Sequence, residues 1–183
     1  MLMLSKTMRP VMLGLALAIC SSATLSGTTF AQDVRTPDPD AVIRLMKPDH
    51  IMIGARDWDA MATWYRDKLD FVVEKVWTVD DLEGIQLGYL TGQGFRIELI
   101  GGGKGGRMKV PNDFAEHFNM GGIQHIAFAV EDVDETMAEL ARRGVEPFVP
   151  ATSFPEGAER RVAFIKDPEG NVIEFATPIP SVR

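Results

Sequence analysis

The sequence predicts an α+β fold in which two β-α-β-β-β modules pair. Two observations predict this fold. The stretch DHIMIGARDWDAMATWYRDKLDF matches QHIAFAVEDVDETMAELARRGVE, so that His50 and His125 correspond at an offset of 75 residues. The stretches GFRIELIG and GNVIEFAT then end the two halves and place Glu98 and Glu174 in the same context. Self-similarity at a fixed offset indicates one structural unit used twice.

Each half predicts the same order of elements. An alternating strand opens the half, an Asp suited to a helix N-cap follows (Asp57 or Asp132), and an amphipathic helix comes next. The last strand of each half carries its glutamate, and in the second half the turn KDPEGN precedes it. The two intervening strands are predicted at residues 71–79 and 85–91, and at 145–150 and 160–166. Neither half can bury both faces of its sheet alone, so the halves are expected to pair.

The first 31 residues predict a secretory signal peptide. Lys6 and Arg9 precede a short apolar run, and small residues surround a cleavage point after Ala31. The run from residue 11 to residue 20 is too short to span a bilayer. A lipid anchor at Cys20 and an uncleaved anchor are the alternatives. The chain is therefore expected to be exported, to the periplasm or the medium.

The rest of the chain divides into a linker, one domain and a tail. Residues 32–46 are polar and contain prolines, which is typical of a linker. The domain covers residues 47–178. It consists of module one at 47–102, a connector at 103–121 and module two at 122–178, followed by a tail at 179–183.

Charge and cysteine content exclude several kinds of partner. The chain has 19 basic and 26 acidic residues, and loss of Lys6 and Arg9 with the signal peptide changes the net charge from −7 to −9. Such a balance argues against nucleic acid as a partner, and no membrane association is expected of the mature form. The one cysteine, Cys20, also leaves with the signal peptide. Any metal must then be held by His, Asp or Glu.

The period of two along a strand assigns four polar side chains to one face of the sheets. His50, Glu98, His125 and Glu174 each oppose bulky apolar neighbours that suit a covering helix. Unpaired buried charges are costly, whereas two carboxylates and two neutral imidazoles balance one divalent cation. The donor set favours zinc or nickel, with cobalt, manganese or iron as alternatives. The other interpretation is two surface glutamates and two core histidines. His117, in the connector, is expected at the surface.

These residues and their spacing resemble the vicinal oxygen chelate superfamily, which includes glyoxalase I, extradiol dioxygenases and fosfomycin-resistance proteins. The resemblance covers residues 47–178 and implies paired modules whose mixed sheets curl around a metal, with ligands at His50, Glu98, His125 and Glu174. This quartet is most similar to bacterial glyoxalase I. The dioxygenases and fosfomycin enzymes typically lack an acid at the position of Glu98.

The resemblance implies a reaction in which a metal-chelated carbonyl and hydroxyl pair loses a proton at the neighbouring carbon. Glu174 is the implied base, and Glu98 serves the opposite face. The implied enzyme is a lyase or isomerase that acts on a small molecule. Arg96 and Arg161, assigned to the cavity side of their strands, are candidates for holding an anionic substrate; charges at strand ends are the alternative.

Substrate and assembly stay open at the level of sequence. Gly54 and Gly102 stand where glyoxalase I typically has an Arg and an Asn for glutathione, so lactoylglutathione lyase activity is one hypothesis among several. A ferrous-iron ring-cleaving dioxygenase and a secreted binding protein are alternatives. The connector is long enough for modules to pair within one chain or between two, and a homodimer is therefore favoured without being required.

Overall fold

The computed structural model describes residues 39–82, 84–103, 109–154 and 160–178. The predicted signal peptide, residues 32–38 of the linker, residues 104–108 of the connector and the predicted tail lie outside the described residues. The chain divides between residues 46 and 47 into two units. The described part of the first unit contains one 3₁₀ turn, Val42–Leu45. Across the described ranges, every helix is too short or too polar to cross a membrane.

The second unit contains both predicted modules in the predicted element order. Module one consists of β1 (Ile51–Ala55), α1 (Trp58–Leu69), β2 (Val72–Thr78), β3 (Gln86–Gly92) and β4 (Phe95–Gly101). A short helix that the sequence analysis did not predict, α2 (Phe114–Phe118), follows in the connector. Module two consists of β5 (His125–Ala129), α3 (Val133–Arg142), β6 (Pro147–Ser153), β7 (Arg161–Lys166) and β8 (Val172–Ala176). The α+β class and the duplication are confirmed.

The strands form two separate four-stranded sheets of the same topology. Their orders are β1-β4-β3-β2 and β5-β8-β7-β6. In each sheet the first and last strands of the module run parallel, and the other neighbours run antiparallel. The sheets are therefore mixed, and they do not close into a single barrel. In each module the parallel pair places the first strand beside the last strand, which carries the glutamate. The histidine directly precedes the first strand in module one and begins it in module two.

Aspartates begin both long helices, as the sequence predicts. The Asp57 carboxylate accepts the amide of Ala60 at 2.9 Å, and the Asp132 carboxylate accepts the amide of Glu135 at 2.9 Å. Each bond satisfies an amide that has no partner within its own helix. The side-chain oxygen thereby fixes where the chain turns from strand to helix, at corresponding positions of the two modules.

The apolar face of the first sheet packs against α1. Ile53, Ile97 and Leu99 are buried there with Met61 of the helix. Trp58 closes one end of this layer, and its indole N–H donates to the carbonyl of Leu99 at 3.0 Å. The alternation of burial along β1 thus leaves the opposite face of the sheet free for polar side chains.

One apolar core joins the two modules. Phe128 of β5 lies 6.3 Å from the ring of Phe71 and 5.7 Å from that of Phe95, both in module one. The buried Tyr65 hydroxyl donates to the carboxylate of Asp167 in module two at 3.0 Å. Asp167 occupies the KDPEGN turn, where it also accepts three nitrogen donors. The modules therefore pack through specific contacts between their helix-covered sides.

Candidate metal centre

A histidine and a glutamate form a pair on the first sheet. The Nε2 atom of His50 lies 3.2 Å from Oε2 of Glu98. Glu98 stands opposite Met52 in the parallel ladder, two residues beyond His50. Residues two apart on a strand share a face, so the histidine and the glutamate meet diagonally across neighbouring strands. Glu98 is buried, and the His50 side chain is 31% exposed.

The second sheet carries a pair of the same geometry. The Nε2 atom of His125 lies 3.0 Å from Oε2 of Glu174. Glu174 stands opposite Ala127, again two residues beyond the histidine. In both pairs, a ring Nε2 faces a carboxylate oxygen. Both pairs lie on the face of the sheet that the long helix does not cover. Each histidine thus contacts the glutamate of its own module.

Each pair lies on its own sheet, and the structure does not gather the four side chains at one point. Within the described ranges, no three or more His, Cys, Asp or Glu side chains form a group that could hold a metal ion. A single chain thus presents two separate donor pairs. The four-ligand site at His50, Glu98, His125 and Glu174 stays a prediction.

Charged and aromatic groups surround the first pair. The Nδ1 atom of His50 lies 2.6 Å from Oδ2 of Asp49, whose other oxygen accepts Nη1 of Arg96 at 3.2 Å. The hydrogen bond from His50 and the charge of Arg96 lower the pKa of Asp49. The ring of Tyr89 lies beneath the Arg96 guanidinium at 5.2 Å. Arg96 is thus on the predicted face, and Glu74 also pairs with it at 3.2 Å.

The second pair is partly covered by α2, which corrects the expectation for His117. That side chain is 1% exposed rather than at the surface, because α2 turns it into the module. Its Nε2 lies 3.1 Å from Nδ1 of His125. Burial lowers the pKa of His117, and the nearby His125 and Lys166 lower it further. On the other side of the pair, Arg160 Nη2 lies 3.9 Å from Oε1 of Glu174.

The face assigned to Arg161 is wrong. Its Nη2 atom donates to the carboxylate of Asp134 on α3 at 2.6 Å, so the side chain lies on the helix-covered side of the sheet. The apolar neighbours show the same register: Ile165 joins the core shared with the helices, whereas Phe164 packs against Phe114 of α2. The preceding residue, Arg160, is the arginine that approaches the second pair.

The family model described as "Glyoxalase/Bleomycin resistance protein/Dioxygenase superfamily" matches residues 47–175. This span contains module one, module two as far as residue 175, and all four predicted ligands. The chain belongs to this superfamily.

Three relatives illustrate the range of the superfamily around this chain. A 4-hydroxyphenylpyruvate dioxygenase of Aspergillus fumigatus is 27% identical over 116 residues, which cover 57% of this chain and 28% of that protein. Glyoxalase I of Zea mays is 20% identical at a TM-score of 0.55, covering 72% of this chain and 44% of that one. The fosfomycin-resistance protein FosX of Listeria monocytogenes, solved with Mn(II) and sulfate, is 16% identical at a TM-score of 0.52. That match covers 73% of this chain and 93% of FosX. The chain thus spans about a quarter of its curated relative, and the solved structures support the superfamily fold.

Two residues beside the superfamily positions, Asp49 and Arg160, are not singled out from the sequence, and a third, His117, is expected at the surface. Asp49 directly precedes His50, which was a usable signal for a carboxylate bound to the ring. The segment DFAEHF carries an aspartate three residues before a glutamate, which is typical of a helix start, and it could have predicted α2 and the burial of His117. For Arg160 no signal existed, because either of two adjacent arginines fits a strand end.

Proposed function

We propose that this chain is a metal-dependent, glyoxalase-like lyase or isomerase that moves a proton between adjacent carbons of a small substrate. One observation carries the proposal. Both modules place a histidine Nε2 and a glutamate oxygen within 3.2 Å of each other at corresponding positions. The membership of the superfamily supports an enzyme, and the relatives above include one solved with Mn(II).

The distances within each pair fit two ligands of one cation. Zinc bonds to imidazole and carboxylate are about 2.1 Å long, so ligands at right angles stand about 3.0 Å apart and tetrahedral ligands about 3.4 Å apart. The observed separations are 3.2 Å for His50 and Glu98 and 3.0 Å for His125 and Glu174. The Nδ1 atom of His50 also has a carboxylate partner in Asp49, which is the usual support of a metal-bound imidazole. Zinc or nickel is the proposed metal.

A second copy of the chain is the proposed source of the missing ligands. Two donors per module are half of the four that close a zinc shell. The face that carries His50 is open in one chain, since Met52 on the same face is 52% exposed. We therefore propose a homodimer in which His50 and Glu98 of one copy meet His125 and Glu174 of the other. Pairing of the two modules within one chain is the alternative that the sequence leaves open.

The chain's own residues would carry the proton. A bound divalent cation would stabilise negative charge on two neighbouring substrate oxygens. Glu174 is the proposed base, because its carboxylate is nearly buried and has the His125 ring on one oxygen and Arg160 near the other. Glu98 holds the corresponding position in module one and would exchange a proton on the opposite face of the substrate.

A ferrous-iron dioxygenase is the second candidate, favoured by the 27% identity to a 4-hydroxyphenylpyruvate dioxygenase. Such enzymes use a facial triad of two histidines and one carboxylate. In this chain, both Glu98 and Glu174 face a histidine, and the second carboxylate favours the lyase or isomerase. A secreted binding protein without catalysis remains the third hypothesis.

Metal analysis of the purified protein tests the proposal directly. Wild type, Glu98→Gln and Glu174→Gln are compared for bound zinc and nickel, then screened with hemithioacetals, 2-oxo acids and catechols in D₂O. The proposal expects metal in the wild type, less metal in both variants, and deuterium in the product without oxygen consumption. Turnover of catechols alone with oxygen uptake would support the dioxygenase. Unchanged metal content in both variants would refute the site.

We also propose export after cleavage at Ala31, on the basis of the charge and hydropathy of residues 1–31. Expression of the full chain in a Gram-negative host, followed by fractionation and mass spectrometry, tests it. A mature chain beginning at Gln32 in the periplasmic fraction is expected. An intact N-terminus in the cytosolic fraction would contradict the proposal.

A further inference from the structure

The third histidine of the chain, His117, is surrounded by aromatic rings. His117 is buried on α2, and its ring lies within 6.5 Å, centre to centre, of four phenylalanine rings: Phe114, Phe118, Phe148 and Phe164. These rings enclose the imidazole in an apolar environment, while its polar nitrogens still need partners. Its Nε2 finds one in Nδ1 of His125 at 3.1 Å.

The two ring nitrogens of His125 therefore have separate partners. Nδ1 contacts His117, and Nε2 faces Glu174 at 3.0 Å. An imidazole held at one nitrogen is restrained in rotation, which aims the other nitrogen. In module one the corresponding histidine, His50, is held at Nδ1 by Asp49 instead. The two modules thus orient their histidines in the same way with different chemistry.

The residue of module two that corresponds to Asp49 explains why the two histidines have different partners at Nδ1. That residue is Gln124, 75 positions later. Its side-chain amide donates to the carbonyl of Met120 at 2.5 Å and to that of Phe118 at 3.4 Å, just after and at the end of α2. Gln124 therefore does not hold the adjacent His125 as Asp49 holds His50. It anchors the helix that carries His117.

We infer that His117 is a positioning residue for His125: it holds Nδ1, so that Nε2 is directed toward Glu174 and is available to a divalent cation. The inference rests on the proposed metal centre. A histidine suits the task because a neutral imidazole has one donor and one acceptor nitrogen and can serve in either direction. A carboxylate there would be costly among aromatic rings.

We expect this hydrogen bond to reverse when a cation binds. In the metal-free protein, His125 Nε2–H would donate to Glu174, and His125 Nδ1 would accept from His117 Nε2–H. With a cation held at His125 Nε2, the ring proton of His125 would lie on Nδ1 and donate to Nε2 of His117, whose own proton would lie on its Nδ1. Each ring keeps one proton, so the change is a paired exchange of tautomers with no net proton release.

Nitrogen-15 NMR of the full-length protein labelled at its three histidines tests the inference at one fixed pH. Metal-free wild type is expected to show both His117 and His125 protonated at Nε2, and zinc-loaded wild type both at Nδ1. In metal-free His117→Phe, the ring signals of His125 are expected to change. A His117 signal that does not respond to zinc, or His125 signals unchanged by His117→Phe, would overturn the inference.

Zinc affinity, measured by competition with a chelator, separates the hydrogen bond from packing. His117→Phe keeps an aromatic ring and is expected to weaken zinc binding by about tenfold to a hundredfold, as for other partners of metal ligands. His117→Gln, whose amide both donates and accepts, is expected to restore most of the zinc affinity.

Phe118→Leu is the matched control, with wild-type affinity expected. Equal losses in His117→Gln and His117→Phe, or in Phe118→Leu and His117→Phe, would refute the role. Melting temperatures identify variants that fail to fold.

The two proposals fail in different ways. Absence of zinc binding by the wild type contradicts the proposed metal centre. The spectra of the metal-free proteins then still decide whether His117 orients His125.

Discussion

The side chain of Lys68 donates to the backbone carbonyl of Arg143, and the side chain of Arg143 donates in return to the carbonyl of Lys68. The two residues are 75 positions apart, which is also the offset between His50 and His125. A reciprocal contact between corresponding residues indicates an approximate twofold axis between the modules. The axis relates the two donor pairs, which lie on separate sheets and do not form a common donor group among the described residues.

The contact between Tyr65 and Asp167 is expected to stabilise the pairing of the modules. Removal of the hydroxyl in Tyr65→Phe leaves the buried carboxylate of Asp167 with one donor fewer. Loss of a buried hydrogen bond to a charged group costs about 2 kcal/mol, and the free energy of unfolding in urea should fall by about that amount. Arg66→Ala, which removes only an exposed pair with Asp67, should leave the free energy unchanged. Equal effects would show that Tyr65 contributes no specific contact.

A mixture of two inactive variants tests whether the proposed metal site lies between copies. His50→Ala damages module one, and His125→Ala damages module two. In a mixed dimer, the intact module two of the first variant meets the intact module one of the second, which restores one of two sites. Co-expressed variants with different affinity tags, purified in tandem, should therefore bind about one zinc per dimer when sites are shared between copies.

The homodimers of each variant are the controls for that mixture, and both are expected to bind zinc weakly. Should the mixed dimer bind no more zinc than these controls, the site shared between copies would be contradicted. A wild type that is monomeric in sedimentation while binding zinc would contradict the shared site as well.

The fold could be predicted because the duplication repeats its local signals. Asp57 and Asp132 cap their helices as expected, and each glutamate stands two residues along from its histidine across a parallel ladder. Whether all four predicted ligands meet at one point could not be derived in the same way. Period-two alternation assigns a side chain to a face, and it does not determine whether two faces of one chain turn toward each other. That depends on how the modules pack.

The arginines of β7 show a second limit of sequence patterns. Alternation along a strand assigns faces only when the register is known, and at the strand end a shift of one residue reverses every assignment. Alternation assigns Arg161 to the site face, whereas Asp134 binds it on the helix side. Arg160 takes the site face instead.

Substitution of each arginine by methionine should separate their roles. Arg160 places a positive charge 3.9 Å from Glu174, and a cation at that carboxylate would be repelled by it. Arg160→Met is therefore expected to raise zinc affinity by about threefold to tenfold, since charges near a protein surface interact by a few kcal/mol at most. Arg161→Met should leave zinc affinity unchanged and lower the melting temperature slightly. A rise in zinc affinity in Arg161→Met, with no change in Arg160→Met, would instead show that Arg161 acts at the site.

Acid should loosen α2 through Glu116. Lys109 and the backbone and side chain of Asn112 bind its carboxylate and lower the pKa of Glu116 to about 2 from 4.5. A carboxylate whose pKa is depressed by folding stabilises the folded state above the unfolded pKa, and that contribution is lost as pH falls toward the folded pKa. Hydrogen exchange of the α2 amides should therefore accelerate between about pH 4.5 and pH 2 relative to Glu116→Gln. In Glu116→Gln the helix should exchange faster than wild type at pH 6, and the difference should vanish near pH 2.

Lys109→Met is expected to reproduce part of this effect, because the lysine contributes most to the lowering of the Glu116 pKa. A wild-type helix whose protection relative to the variant stays constant over this range would show that Glu116 does not hold α2, and with it His117, against the second donor pair.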